Sequence, residues 1–214
     1  ARDNIRAASN LICTRASEKL ELDFDITLVT YVGIGCGAGW ATTYNKQPAI
    51  LLGLENIAEE KWHTKSKLEA PISHEIGHLT HMKWRNEWTA FEKAEQDPLF
   101  QLYSEGFAQR CEHIILENET WHMAQDKQWL PWCRENENWL AKEFLKKTQN
   151  QASTNDFFGS WFNIKGKKQT GYFLGHELIQ EAQKTQSLKQ IALLTPQEVR
   201  KQILQHLKHL SKQH

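Results

Sequence analysis

Nine residues constrain this chain more than any others: Ser73 to His81 read SHEIGHLTH, three histidines and one glutamate. Within them His74, Glu75 and His78 spell HExxH. On a helix the i and i+4 positions share a face, so His74 and His78 can both reach one ion, while Glu75 sits beside them as a candidate general base. The chemistry asks for that spacing, because zinc lowers the pKa of a bound water toward about 7 and a carboxylate within hydrogen-bond reach then takes the proton. Random placement of the chain's histidines and glutamates gives about 0.04 such matches. The competing reading is two surface histidines on an amphipathic helix. Ile72, Ile76, Gly77 and Leu79 argue instead for a buried helix, where two imidazoles without a metal would carry an uncompensated desolvation cost.

His81 is not the third ligand on this reading. It lies seven positions from His74, about 10 Å along a straight helix, whereas ligands of one zinc stand within roughly 4 Å of one another. The HExxHxxGxxH solution turns the chain back at a glycine; here His81 occupies the place of that glycine and Trp84 the place of the last histidine. A later helix must then complete the site. Glu87, Glu92, Glu95, Asp97, Glu105, Glu112, His113, Glu117 and His122 are the downstream candidates, and spacing does not choose among them. Composition favours Glu105, because Gly106 and Ala108 would let its helix approach the HExxH helix closely, with Leu102 and Phe107 to pack. Glu87, Glu92 and Glu95 read as a solvated face.

The rest of the chain bounds the setting. At 214 residues and 40% hydrophobic composition it can bury a real core. Its 26 basic and 26 acidic side chains cancel, leaving no electrostatic footprint for nucleic acid or an anionic membrane. Cys13, Cys36, Cys111 and Cys133 are scattered and read as ordinary reduced thiols. The opening ARDNIRAAS shows no basic n-region or apolar h-region, so the expectation is cytoplasmic. Ile26 to Asn45 carries no charge, but its glycines and threonines fit strands and a turn better than a spanning helix. Gly33, Gly35, Gly37 and Gly39 are followed by WATTYN rather than a helix, which makes a hairpin connection a better reading than a phosphate loop.

Helical spacing in NIRAASNLICTRASEKLEL gives way to three strand-like runs, ITLVTYV, GWATTY and PAILLGLE, read as a small antiparallel sheet. Beyond about residue 57 the pattern is helical. TPQE announces the last helix, with Thr195 as N-cap, Pro196 at the first helical position and Glu198 closing a capping box. The tryptophans of the helical part read as core and cleft-wall residues. His206 and His209 read as part of a solvated tail helix, and Asn118-Glu119-Thr120 as a sequon without a secretory context.

HEIGH followed 27 positions after His78 by SEGFAQ resembles the gluzincin branch of zinc metallopeptidases. GAGWATTYNKQPAILLGLENIAE, TGYFLGHELIQE and LLTPQEVRKQIL extend a similarity, over about residues 26 to 205, to an uncharacterised family of predicted zinc-dependent proteases of that type. The resemblance implies a third ligand at Glu105 and a thermolysin-like core. It implies that PAILLGLEN is the edge strand on which an extended substrate adds by main-chain hydrogen bonds. GLEN is similar to the GxMEN amine-binding loop of gluzincin aminopeptidases, with Leu54 in place of the methionine, which makes Glu55 a candidate for binding a substrate amine. Tyr172, or His176 one turn further on, would donate to the developing oxyanion.

The expectation is therefore an α+β, zincin-like fold: a single domain over residues 1–214, with a helix-plus-sheet lobe at 1–68, the HExxH helix and a helical lobe at 69–214, and the active-site cleft between them. One zinc per chain is held by His74, His78 and Glu105, and Glu75 is the base in hydrolysis of a peptide or protein substrate. The alternatives are a hydrolase of non-peptide amides with the same site, and a non-catalytic zinc-binding regulatory or structural module. A structural site should be closed and four-coordinate and its chelation should unfold the chain; it would have no use for Glu75.

Overall fold

The computed structural model describes residues 2–33, 37–124 and 126–212, the side chains of Thr89 and Glu92 excepted. The element order is α1 (Arg2–Leu20), β1 (Thr27–Tyr31), β2 (Gly39–Tyr44), β3 (Gln47–Gly53), α2 (Leu54–Glu59), α3 (Lys65–Arg85), α4 (Thr89–Ala94) and α5 (Pro98–Leu116). It continues with α6 (Trp129–Glu135), α7 (Glu137–Gln149), α8 (Asn155–Phe158), α9 (Thr170–Ala182), α10 (Leu188–Ala192) and α11 (Pro196–Leu210). The fold is α+β, mostly helical, with one three-stranded mixed sheet. Among the described residues no helix is long and apolar enough to cross a membrane. The chain divides into two compact units, residues 1–88 with 108–122 and residues 89–107 with 123–214. The HExxH helix thus belongs with the sheet, and the continuous helix α5 contributes to both units.

The first unit is built on α1, the sheet and α3. Ile5, Ala8, Ile12, Ala16 and Leu20 form a buried stripe along α1 at helical spacing, and α1 packs on α3. Each fully buried Ile or Leu is worth about 1.5–3 kcal/mol. In the sheet β1 pairs parallel with β3, and β2 pairs antiparallel with it. Two sequence expectations are corrected here: the sheet is mixed rather than antiparallel, and PAILLGLEN is not an edge, because β3 is paired on both sides. Among the described residues the free edges belong to β1 and β2. Asn45 and Lys46, at φ 51° and 65°, close the two-residue turn between Tyr44 and Gln47, the geometry that matches strand twist in a tight hairpin. Pro48 is tolerated because the β1 pairing begins only at Ala49. Of the glycine run, Gly35 lies outside the described residues, as does Cys36.

HEIGH lies in the middle of α3, which is buried from Pro71 to Met82 except at Glu75. The hydroxyls of Ser73 and Thr80 donate to Glu69 O at 2.7 Å and to Ile76 O at 2.7 Å, satisfying them within the helix. Asn86, at φ 52°, ends α3 in the left-handed conformation, with Glu87 N–H reaching back to Met82 O.

The second unit is helical and its core is aromatic. Phe144 meets Phe157 and Phe158 edge-on, with centroids 5.0 and 6.1 Å apart, and Phe100 packs between Phe91 and Tyr103. Trp129 is fully buried and donates its indole N–H to Lys168 O at 2.9 Å. The other tryptophans of the helical part are only half-buried, and Trp161 is exposed. Thr195 and Glu198 form the reciprocal capping box of α11 around Pro196. Ser187 and Gln190 form a second one on α10. His206 is half-buried rather than solvated, and that burial lowers its pKa.

Candidate metal centre

The two histidines of HEIGH stand together because one helical turn separates them: the His74 and His78 rings lie 4.9 Å apart, edge to face, and both are buried. Glu75 is half-buried beside them. Its carboxylate lies against the backbone where β2 begins, so close that a Cβ added at Gly39 would stand 2.6 Å from Glu75 Oε1. Gly39 therefore leaves the space that the carboxylate occupies.

The partner helix comes close for the same reason. A Cβ on Gly77 would lie 2.7 Å from Ala108 Cα and 2.9 Å from both Ala108 O and Cys111 Cβ, so α3 meets the backbone of α5 with no room for a side chain between. Glu105 lies on α5 three residues before Ala108, half-buried. His74, His78 and Glu105 each offer a ligand atom, and these atoms lie within 4.8 Å of one another. Ligands held at about 2 Å from one ion span roughly 4 Å, so this donor set, two imidazoles and a carboxylate, fits a zinc ion with small side-chain adjustment.

A second set shares His74. Glu112, two turns beyond Glu105 on α5, has ligand atoms within 4.8 Å of those of His74 and His122. Its fully buried carboxylate accepts from Thr120 Oγ1 at 2.6 Å, pairs with His122 Nδ1 at 2.7 Å and lies 3.8 Å from His74 Nδ1. Burial pushes the Glu112 carboxyl up, but the charges and hydrogen bonds of His122, His74 and Thr120 outweigh it and hold the group below the ordinary carboxylate range. Glu117, at φ 52°, turns the chain after α5. Gln109 Nε2 and His113 Nε2 then lie 2.8 and 2.6 Å from Thr120 O, which brings Thr120 and His122 back over Glu112. Trp62 packs edge-on against the outer side of His122 at 5.5 Å. The hydroxyl of the sequon threonine is thus spent on a buried glutamate.

The remaining candidates have other duties. His81 is buried on α3 and belongs to neither set. His113 is held by the Gln109 and Thr120 contacts above. Asp97 caps α5 by accepting from Leu99 N–H at 2.8 Å, Glu95 accepts the Ser104 hydroxyl, and Glu87 and Glu117 pair with Arg85 and Lys19. Glu55 sits in the first turn of α2, with Oε2 buried and, among the described residues, without a hydrogen-bond partner. Tyr172 and His176 lie on α9 in the second unit, where Tyr172 stacks edge-on against Phe158 at 6.2 Å and the buried His176 has Nδ1 3.0 Å from Glu177 Oε1. Among the described residues neither belongs to a set of side chains able to hold a metal.

In the sequence Glu112 and His122 stand among many possible ligands, and nothing in their spacing shows that they form one hydrogen-bonded group with Thr120. The one signal is the seven-residue step from Glu105 to Glu112, which keeps both on one helix face. Compared with protein families, with curated proteins and with solved structures, the chain finds no match in any of the three.

Proposed function

We propose that this chain is a zinc-dependent hydrolase of peptide bonds, with a zincin-like core of the gluzincin type. The support is one arrangement above all: an i, i+4 pair of buried imidazoles on α3 that shares its donor set with Glu105, next to a glutamate whose carboxylate has its own space at Gly39. His74, His78 and Glu105 would hold the ion. Zinc, when bound, supplies Lewis acidity, polarising the scissile carbonyl and making a water ligand acidic near neutral pH.

The chain's own residues divide the remaining work. Glu75 accepts the proton of the attacking water and returns it to the leaving amine. Glu112 lies 3.8 Å from His74 Nδ1 and, itself held by His122 and the Thr120 hydroxyl, orients the His74 ring so that Nε2 is the nitrogen left for the ion. The second set of donors is read as this supporting group because hydrogen bonds already account for the closeness of His122 and Glu112. β2, an unpaired edge that starts at Gly39 against Glu75, takes over the substrate-aligning role expected of β3. Tyr172 or His176 is the candidate oxyanion donor, and Glu55 a candidate partner for a substrate amine.

The test is zinc stoichiometry by elemental analysis after chelation and reconstitution, on wild type, Glu105→Ala and Glu112→Gln, followed by a peptide-library digest. One zinc per wild-type chain, lost in Glu105→Ala and retained with weaker affinity in Glu112→Gln, supports the reading. Full zinc in Glu105→Ala with loss in Glu112→Gln moves the ion to the His74, Glu112 and His122 set. Absence of zinc from wild type ends the proposal.

A further inference from the structure

Within the first unit a cavity of about 340 Å³ opens between α1, β1 and the start of α2, in the size range of small-molecule sites. Its walls include Ile5, Ile26, Leu28, Ile50, Leu54 and Ile72. Ile50 and Ile72 are fully buried, whereas Ile26 and Leu28 at the free β1 edge are half-exposed. The charged part of the lining is of one sign, beside the uncharged Ser9, Asn10 and Thr30. Arg2 and Arg6, one turn apart on α1, line the cavity, no acidic side chain does, and among the described residues neither guanidinium has an ion-pair partner. Ser9, also on this face, spends its hydroxyl on Ile5 O at 2.8 Å, so it does not compete for a ligand.

Two like charges at i, i+4 repel each other, and an apolar cavity beside them has room for a hydrocarbon body. An anion at Arg2 and Arg6 removes the repulsion through charge-assisted hydrogen bonds, while each methylene of an alkyl chain buried against the isoleucines adds to the affinity by leaving water. We propose that this cavity binds an alkyl monocarboxylate of medium chain length, with the chain between α1 and β1 and the carboxylate at Arg2 and Arg6. The site is separate from the HExxH helix face that carries His74 and His78, and it does not depend on the hydrolase reading.

Cys13 lines the same cavity and is half-buried, which supplies a local reporter. The experiment titrates the full chain with decanoate and with decanol, which share the alkyl chain and differ in charge. Binding is read by calorimetry and by peptide-mapped alkylation of Cys13 with N-ethylmaleimide. Expected results are one decanoate per chain, binding about tenfold or more tighter than decanol, and slowed Cys13 alkylation. The Arg2→Gln, Arg6→Gln double variant, at exposed positions, should lose that margin while still binding decanol. Leu28→Trp, which fills the cavity, should abolish both. Equal affinity for decanoate and decanol, an unaffected double variant, or decanoate binding that leaves Cys13 alkylation unchanged would each overturn the proposal.

Discussion

The two units bury different kinds of side chain. The first places His74, His78, His81, Gln109, Glu112 and His113 in its interior, and the second, although it also buries His176, relies on Phe100, Tyr103, Phe144, Phe157 and Phe173. Both use glycine to bring helices together: Gly77 meets Ala108 in the first, and in the second Gly106 meets Gly175, where an added Cβ would lie 2.1 Å from backbone. The close approach therefore does not distinguish them; what surrounds it does. An aromatic interior gains free energy from burial alone. A buried set of imidazoles and carboxylates costs free energy unless every member is paired or metal-bound, and such a cost is expected where chemistry is done.

That contrast is open to direct attack. The largest effect should come from Glu75→Gln, which leaves the metal and the melting temperature in place but lowers peptide hydrolysis by about 10² to 10⁴-fold, a typical contribution for a general base; undiminished turnover would remove Glu75 from the mechanism. Phe144→Ala, in the second unit, should cost about 3–5 kcal/mol in denaturant unfolding while leaving zinc affinity per folded chain unchanged. A parallel loss of zinc binding would mean that the aromatic interior also holds the donor set in place. Glu112→Gln should weaken zinc by about 10 to 100-fold, the usual effect of removing a group that orients a ligand, and competition with a chelating dye reads it out. Gly39→Ala should have the smallest effect on stability, since the atoms displaced, Cγ, Cδ and Oε1 of Glu75, belong to a flexible side chain and not to backbone. It should nevertheless lower kcat with little change in KM or melting temperature, and unchanged kcat would show that Gly39 does not set the position of the base.

Much of the first unit is legible in the sequence. A helix repeats every 3.6 residues, so the His74 and His78 pair and the α1 stripe from Ile5 to Leu20 follow from short-range spacing, as does the Thr195 capping box in the second unit. The sheet is half legible. Strand positions follow from β-branched and aromatic runs, but β3 reads as an edge or a centre equally well, because pairing is chosen by the connection between strands and not by the strand. Among the carboxylates of α5, composition points to Glu105, and no local rule could pair Glu112 with Thr120 and His122.

Local sequence thus decides which side chains share a helix face and where helices begin, because those interactions lie within one or two turns. Tertiary structure alone decided that β1 joins β3 in parallel and that β2 is the edge facing Glu75. It also decided that a turn after α5 carries Thr120 and His122 back to a buried glutamate. Such contacts are selected by how backbones pack at glycines and by the need to satisfy each buried polar group. Both depend on residues far apart in the chain.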